Sequence, residues 1–177
     1  MKKVLLTVAA LLALSMAFVG CNNNTKDESG DDTETPTDTS VVVLDASTWS
    51  YSGDSSYAAK ATVDGDFIKV EATGWNNLIF LPTEFDPTGY SKLTFKMYAP
   101  DYTPGKIYIS FNESTDNWPV VAELAHTDGA VKEAKEFTID IKDSTKKINM
   151  IKVFAQEMVT YGTEDAVIYI GSVTASK

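Results

Sequence analysis

The chain has 177 residues and a formal charge of −10; its 15 basic residues are all lysine, set against 25 acidic ones. An acidic excess without clustered cations excludes the electrostatic footprint of a nucleic-acid or polyphosphate binder. A single cysteine excludes a disulfide framework, so the folded part must be held by its core alone.

The chain opens with Lys2 and Lys3, continues through the almost unbroken apolar run Val4 to Val19, and reaches Gly20 and Cys21. A basic start, an apolar middle and a small residue at the end read as a secretory signal over residues 1–20, not as a mature membrane span. Phe18-Val19-Gly20-Cys21 resembles the lipobox of bacterial lipoproteins, with Phe18 where Leu is usual. That resemblance implies that Cys21 is lipidated and becomes the new N-terminus. Two or more acyl chains, at about 0.8 kcal/mol per buried CH₂, make a stable anchor. The implied location is the bacterial cell envelope, lipid-anchored to a membrane, with the outer membrane or the cell surface as candidate destinations. After Cys21, Asn22 to Ser40 contain only Asn, Thr, Lys, Asp, Glu, Ser, Gly and Pro. Such a segment cannot bury apolar area to offset its ordering entropy, so residues 21–40 are expected to form a disordered tether. The acidic side chains Asp27, Glu28, Asp31, Asp32, Glu34 and Asp38 repel one another and extend it; its random-coil reach is on the order of 25 Å.

Residues 41–177 are the length of one domain, enough to bury roughly two thirds of the unfolded surface. Strand signals follow one another: Val41 to Leu44, Tyr57 to Val63, Phe67 to Thr73, Leu78 to Leu81, Ser91 to Ala99, Lys106 to Phe111, Val120 to Leu124, Lys135 to Ile141, Ile148 to Gln156 and Val167 to Thr174. The clearest is Ser91 to Ala99, where Leu93, Phe95, Met97 and Ala99 alternate with Lys92, Thr94, Lys96 and Tyr98. Period two with one apolar face marks a half-buried antiparallel strand. Ile107, Ile109 and Phe111, then Phe137, Ile139 and Ile141, repeat the pattern. Turn signals separate the strands, among them Asp64-Gly65, Asp86-Pro87-Thr88-Gly89 and Thr127-Asp128-Gly129. Asp64-Gly65-Asp66 reads as a hairpin turn, since Phe67 and Ile68 stand where a calcium loop would need oxygen ligands. About ten strands with almost no helix predict an all-β fold, a two-sheet antiparallel β-sandwich.

The run Phe85-Asp86-Pro87-Thr88-Gly89-Tyr90 into Ser91 to Ala99 resembles the segment of jelly-roll carbohydrate-binding modules (galactose-binding-like domains) in which a tight turn leads into a long strand. Phe137 to Ile141, Ile148 to Phe154 and Val167 to Thr174 resemble the last three strands of those modules. The resemblance implies a jelly roll that binds a glycan without catalysing its conversion. Many members carry an acidic residue where Gly171 stands, near a structural calcium that some of them build. Gly171 supplies no ligand there, so no cofactor is expected, and a structural calcium ion is the one inorganic partner left to test.

A pyranose offers flat C–H patches and a rim of hydroxyls, so its receptor needs aromatic plates beside short polar groups. On strands, the side away from the core would carry them: Tyr98, Tyr108, Phe154 and Gln156 qualify. In loops, Trp75 lies beside Asn76 and Asn77, and Trp118 follows Asn112, Glu113, Asp116 and Asn117. The candidate carbohydrate-binding set is therefore Trp118, Trp75, Tyr98, Tyr108, Phe154, Asn112 and Gln156. Each aromatic has a structural alternative, a cross-strand ladder for the strand residues and a core lid for the tryptophans. Trp49 and Tyr51 fit core packing best, with a rim role as the other option. His126 is the only histidine and has no cysteine to pair with, so a triad or a histidine-ligated metal lacks its parts. The expected partners are carbohydrate or an envelope protein, with a membrane through the lipid anchor. The alternative function is a non-catalytic structural or protein-interaction lipoprotein.

Overall fold

The computed structural model describes residues 39–51, 56–73, 76–101, 106–115, 117–128, 131–156 and 165–177, with backbone alone at 106, 125–128 and 156. The signal segment, Cys21, nearly all of the tether and Trp75 lie outside the described residues. No helix among the described residues is long and apolar enough to cross a membrane.

Ten strands make two antiparallel sheets: β1 (Val41–Leu44), β2 (Lys60–Asp64), β3 (Phe67–Ala72), β4 (Leu78–Phe85), β5 (Lys92–Tyr98), β6 (Lys106–Asn112), β7 (Val120–Asp128), β8 (Lys135–Asp140), β9 (Ile148–Gln156) and β10 (Ala166–Ser176). The six-stranded sheet runs β2-β3-β10-β5-β8, with β1 also pairing β10; the four-stranded sheet runs β4-β9-β6-β7. Each predicted strand is present, and the differences lie at ends. β4 continues past Leu81 to Phe85 because it is an edge strand, where Pro82 removes no ladder hydrogen bond that the sheet needs. β2 begins at Lys60, since Ala58 is bridged to Leu78 instead. The chain crosses between the sheets at most connections, which is the jelly-roll habit.

Alternation places the core. Leu93, Phe95 and Met97 of β5, Ile68 and Val70 of β3, and Ile168 and Ile170 of β10 meet Ile107, Ile109 and Phe111 of β6 and Ile151 and Val153 of β9, all essentially without exposure. Burying one such side chain stabilises the fold by about 1.5–3 kcal/mol. Phe95 of one sheet and Phe111 of the other meet edge to face at 5.5 Å, while Phe137, opposite Phe95 on β8, lies 6.0 Å from it. The Asp64-Gly65-Asp66 segment is the β2–β3 turn, with Asp64 opposite Phe67 and Gly65 at φ 61°, a value that suits glycine at the first position of a two-residue hairpin loop. Gly171 sits at a register shift in β10, and a Cβ there would lie 3.4 Å from the Phe67 ring and 3.5 Å from Lys96. Packing under Phe67 is therefore what this position does. Among the described residues no group of three or more His, Cys, Asp or Glu could hold a metal ion.

Candidate functional site: the outer face of the four-stranded sheet

β6 and β9 pair so that Tyr108 faces Phe154, Ser110 faces Lys152 and Asn112 faces Met150. Their neighbours Ile109, Phe111, Ile151 and Val153 point into the core, so this set shares the opposite face. From β4, Leu78 lies opposite Lys152 and Phe80 opposite Met150, on the same side. The Tyr108 and Phe154 rings sit 5.8 Å apart at 48°. The Lys152 ammonium lies 5.3 Å from the centre of Phe154 and 4.9 Å from that of Trp118. Trp118 in turn meets Tyr57 edge to face at 5.5 Å. A line of rings with one cation in it thus crosses the face, from Tyr57 through Trp118, Lys152 and Phe154 to Tyr108. At the β4 edge Tyr51 stacks on Phe80 at 4.8 Å and 18°, and the Trp49 indole donates to the Phe80 carbonyl at 2.9 Å. Tyr57 and Tyr51 are the open rings, 46% and 39% exposed, whereas Trp118, Phe154, Tyr108 and Phe80 are partly buried.

The loop carrying Trp118 is fixed from beneath. Asn112 is fully buried; its amide donates to the Trp118 carbonyl at 2.8 Å and its oxygen accepts from the Ser110 hydroxyl at 2.7 Å. Glu113 donates its backbone N–H to the Pro119 carbonyl at 3.2 Å, and Ser114 donates to the Asn149 side chain at 2.7 Å. These ties hold Asn117 and Trp118 at φ 74° and 43°, a left-handed pair that asparagine tolerates and tryptophan adopts at a cost of about 1–2 kcal/mol.

At the other end, the Tyr108 hydroxyl donates to Glu123 of β7, and Lys142 donates to the second oxygen of the same carboxylate. Burial, reinforced by the Glu123 bond, pushes the Tyr108 phenol up from 10.0 to about 12. Burial alone lowers the Lys152 ammonium from its usual value. Desolvation disfavours whichever form carries charge, which is why the two groups move in opposite directions.

The structure therefore brings Tyr108, Phe154 and Trp118 together and separates others from them. Tyr98 projects from the outer face of the six-stranded sheet, on the far side of the sandwich. There it stacks on Tyr169 at 4.4 Å and 12°, and Phe67 meets it edge to face at 5.0 Å. That is a cross-strand ladder in which each ring is engaged by another. A depression of about 420 Å³ beside Phe67 on that sheet is lined by Thr94, Lys96, Glu136, Ser172 and Thr174. Asn112 faces the right way, but it is sealed under Trp118 and offers no polar atom to the outside. Gln156 lies opposite Lys106 at the end of β9; its side chain and Trp75 fall outside the described residues. Trp49 packs against the core as expected, whereas Tyr51 is at the rim.

Sequence reasoning passed over Lys152, Phe80 and Tyr57. The first two carried a usable signal: Lys152 shares the parity of Phe154, and Phe80 stands between the inward Ile79 and Leu81. Tyr57 reaches Trp118 through folding of the chain ahead of β2, and no local pattern announces that contact.

No protein-family model matches this chain, and neither does any curated protein sequence. Solved structures do. A mutant of a family 29 carbohydrate-binding module is 16% identical with a TM-score of 0.52, the match covering 78% of this chain and 92% of that one. The low affinity xylan binding module CBM86 from Roseburia intestinalis is 19% identical with a TM-score of 0.50, covering 78% of this chain and 96% of that one. Another family 29 module gives a TM-score of 0.52 at 16% identity, over 78% of this chain and 88% of that one. What this chain shares with them is the jelly-roll β-sandwich. At these identities the likeness is one of fold, and a fold does not fix a ligand.

Proposed function

We propose that this is an exported, membrane-anchored lipoprotein whose four-stranded sheet binds carbohydrate on its outer face. The observation that carries the reading is the continuous line Tyr57, Trp118, Lys152, Phe154 and Tyr108 on one side of one sheet. Rings that supply stacking area, next to tyrosine hydroxyls and an ammonium that supply hydrogen bonds, match the two surfaces of a sugar. The fold shared with carbohydrate-binding modules supports it. The test is affinity electrophoresis and calorimetry against a panel of soluble polysaccharides, with Trp118→Ala, Tyr57→Ala and Tyr98→Ala. The expected affinity is about −4 to −8 kcal/mol, millimolar to micromolar. Trp118→Ala and Tyr57→Ala should weaken it at least tenfold while Tyr98→Ala leaves it unchanged. Binding that survives loss of both Trp118 and Tyr57 would refute the site. An envelope-protein ligand would instead show as capture of a membrane protein that free glycans do not displace. For the anchor, Cys21→Ser should abolish incorporation of labelled fatty acid and release the chain from membranes.

A further inference from the structure

Lys152 carries a charge on this face that a neutral ligand would leave uncompensated. Lys60, Lys69, Lys92, Lys142 and Lys147 each lie within ion-pair distance of a carboxylate. Lys152 has no such partner among the described residues, although it is partly buried. Its neighbours across the sheet are Leu78 and Ser110, neither charged. The nearest carboxylate along that row, Glu123 beyond Ser110, is engaged by the Tyr108 hydroxyl and by Lys142. Two rings flank the ammonium and stabilise it by cation–π attraction. Their faces hold a cation in place without neutralising it. A charge taken partly out of water and left unpaired costs stability. It is compensated when a ligand brings the missing anion.

Resting on the carbohydrate reading of this face, we infer that the glycan is acidic and that Lys152 binds the carboxylate of a uronic acid. A uronic acid carries its carboxylate on the ring edge at C5, in line with the hydroxyl rim. A sugar lying on the ring line thereby presents an anion at the level of a cation held between two of those rings. The overall charge of −10 does not oppose this: one short contact in a partly desolvated site outweighs distant charges that salt screens beyond about 8–10 Å. It does predict slow, unsteered association, because the field of the whole chain repels a polyanion.

The experiment compares oligomers of galacturonate, glucuronate and mannuronate with the same oligomers after reduction of their carboxyls to primary alcohols, by calorimetry on the intact exported domain. At least one acid oligomer is expected to bind tenfold or more tighter than its reduced partner, as befits a charge-assisted hydrogen bond. Lys152→Met keeps the length and apolar stem, and should bring that ratio to about one, weakening the acid oligomer far more than the reduced one. Its melting temperature should hold or rise, which separates loss of the charge from loss of the fold. A reduced oligomer that binds as well as the acid, or a ratio that survives Lys152→Met, would overturn the inference and leave the carbohydrate reading standing. No binding of either series, or of neutral polysaccharides, would overturn both.

Discussion

Asn112 offers the sharpest test of how this face is built, because sequence reasoning offered it to the sugar and the fold encloses it. Asn112→Ala removes the donor to the Trp118 carbonyl and the acceptor for the Ser110 hydroxyl. Asn112 has no exposed surface and Ser110 only 1%, so the groups left behind cannot simply turn to water. Each orphaned buried group costs about 1–3 kcal/mol, which puts the expected loss at about 3 kcal/mol. For a domain of this size that lowers the melting temperature by roughly 10 °C. Urea unfolding followed by tryptophan fluorescence measures the loss directly. Ser110→Ala in the same background removes one of the orphans, so the double variant should be more stable than the sum of the single losses by about 1 kcal/mol. Glycan affinity should fall with Asn112→Ala as well, since the left-handed backbone at Trp118 then lacks its tether. If Asn112→Ala leaves stability within about 0.5 kcal/mol of the parent yet abolishes binding, the amide touches ligand and the architecture drawn for the Trp118 loop is wrong.

Two further outcomes follow from the packing and the charges. Phe95→Ala should cost about 3–5 kcal/mol in denaturant unfolding, because this ring joins the sheets through Phe111 and is 1% exposed. A loss under about 1 kcal/mol would mean that the sheets are not held together there. In an ultraviolet pH titration, the component that ionises at about 12 should be missing in Tyr108→Phe. Because the folded value is the raised one, its contribution to stability is complete below the ordinary value of 10.0 and drains away as pH climbs towards about 12, as the unfolded chain gives up the proton first.

The fold was legible because period two is a strong signal. Leu93, Phe95 and Met97, or Ile107, Ile109 and Phe111, can all be buried only in an extended strand with one face inward, and each of them is. The ends of strands were less so. The extension of β4 through Pro82 depends on its place at a sheet edge, which is a property of the topology and not of the local residues. The site was half legible for a related reason. Alternation says that Tyr98, Tyr108 and Phe154 point away from the core, but it does not say away from which sheet. That is decided by long-range pairing: β5 with β8 and β10, β6 with β9. Nor can alternation tell an outward residue that is open from one roofed by a loop, which is why Asn112 and Tyr108 look alike in the sequence.

The two outer faces, both aromatic, differ in what remains unsatisfied. On the six-stranded sheet Tyr98 and Tyr169 stack face to face, Lys92 is paired with Asp140, Lys60 with Glu71, and the Thr94 and Thr138 hydroxyls meet at 3.0 Å. Those contacts close on themselves, as they do in a ladder selected for strand pairing. On the four-stranded sheet Tyr57 and Tyr51 are 46% and 39% exposed, and a partly buried ammonium held between two rings lacks a counter-charge among the described residues. For a surface selected for stability alone, the cation–π attraction of an unpaired cation between partly buried rings is offset by its desolvation, and apolar residues of equal size pack there at lower cost. The asymmetry between the faces is what singles out one of them for a ligand, and it is the charge, more than the rings, that says which kind.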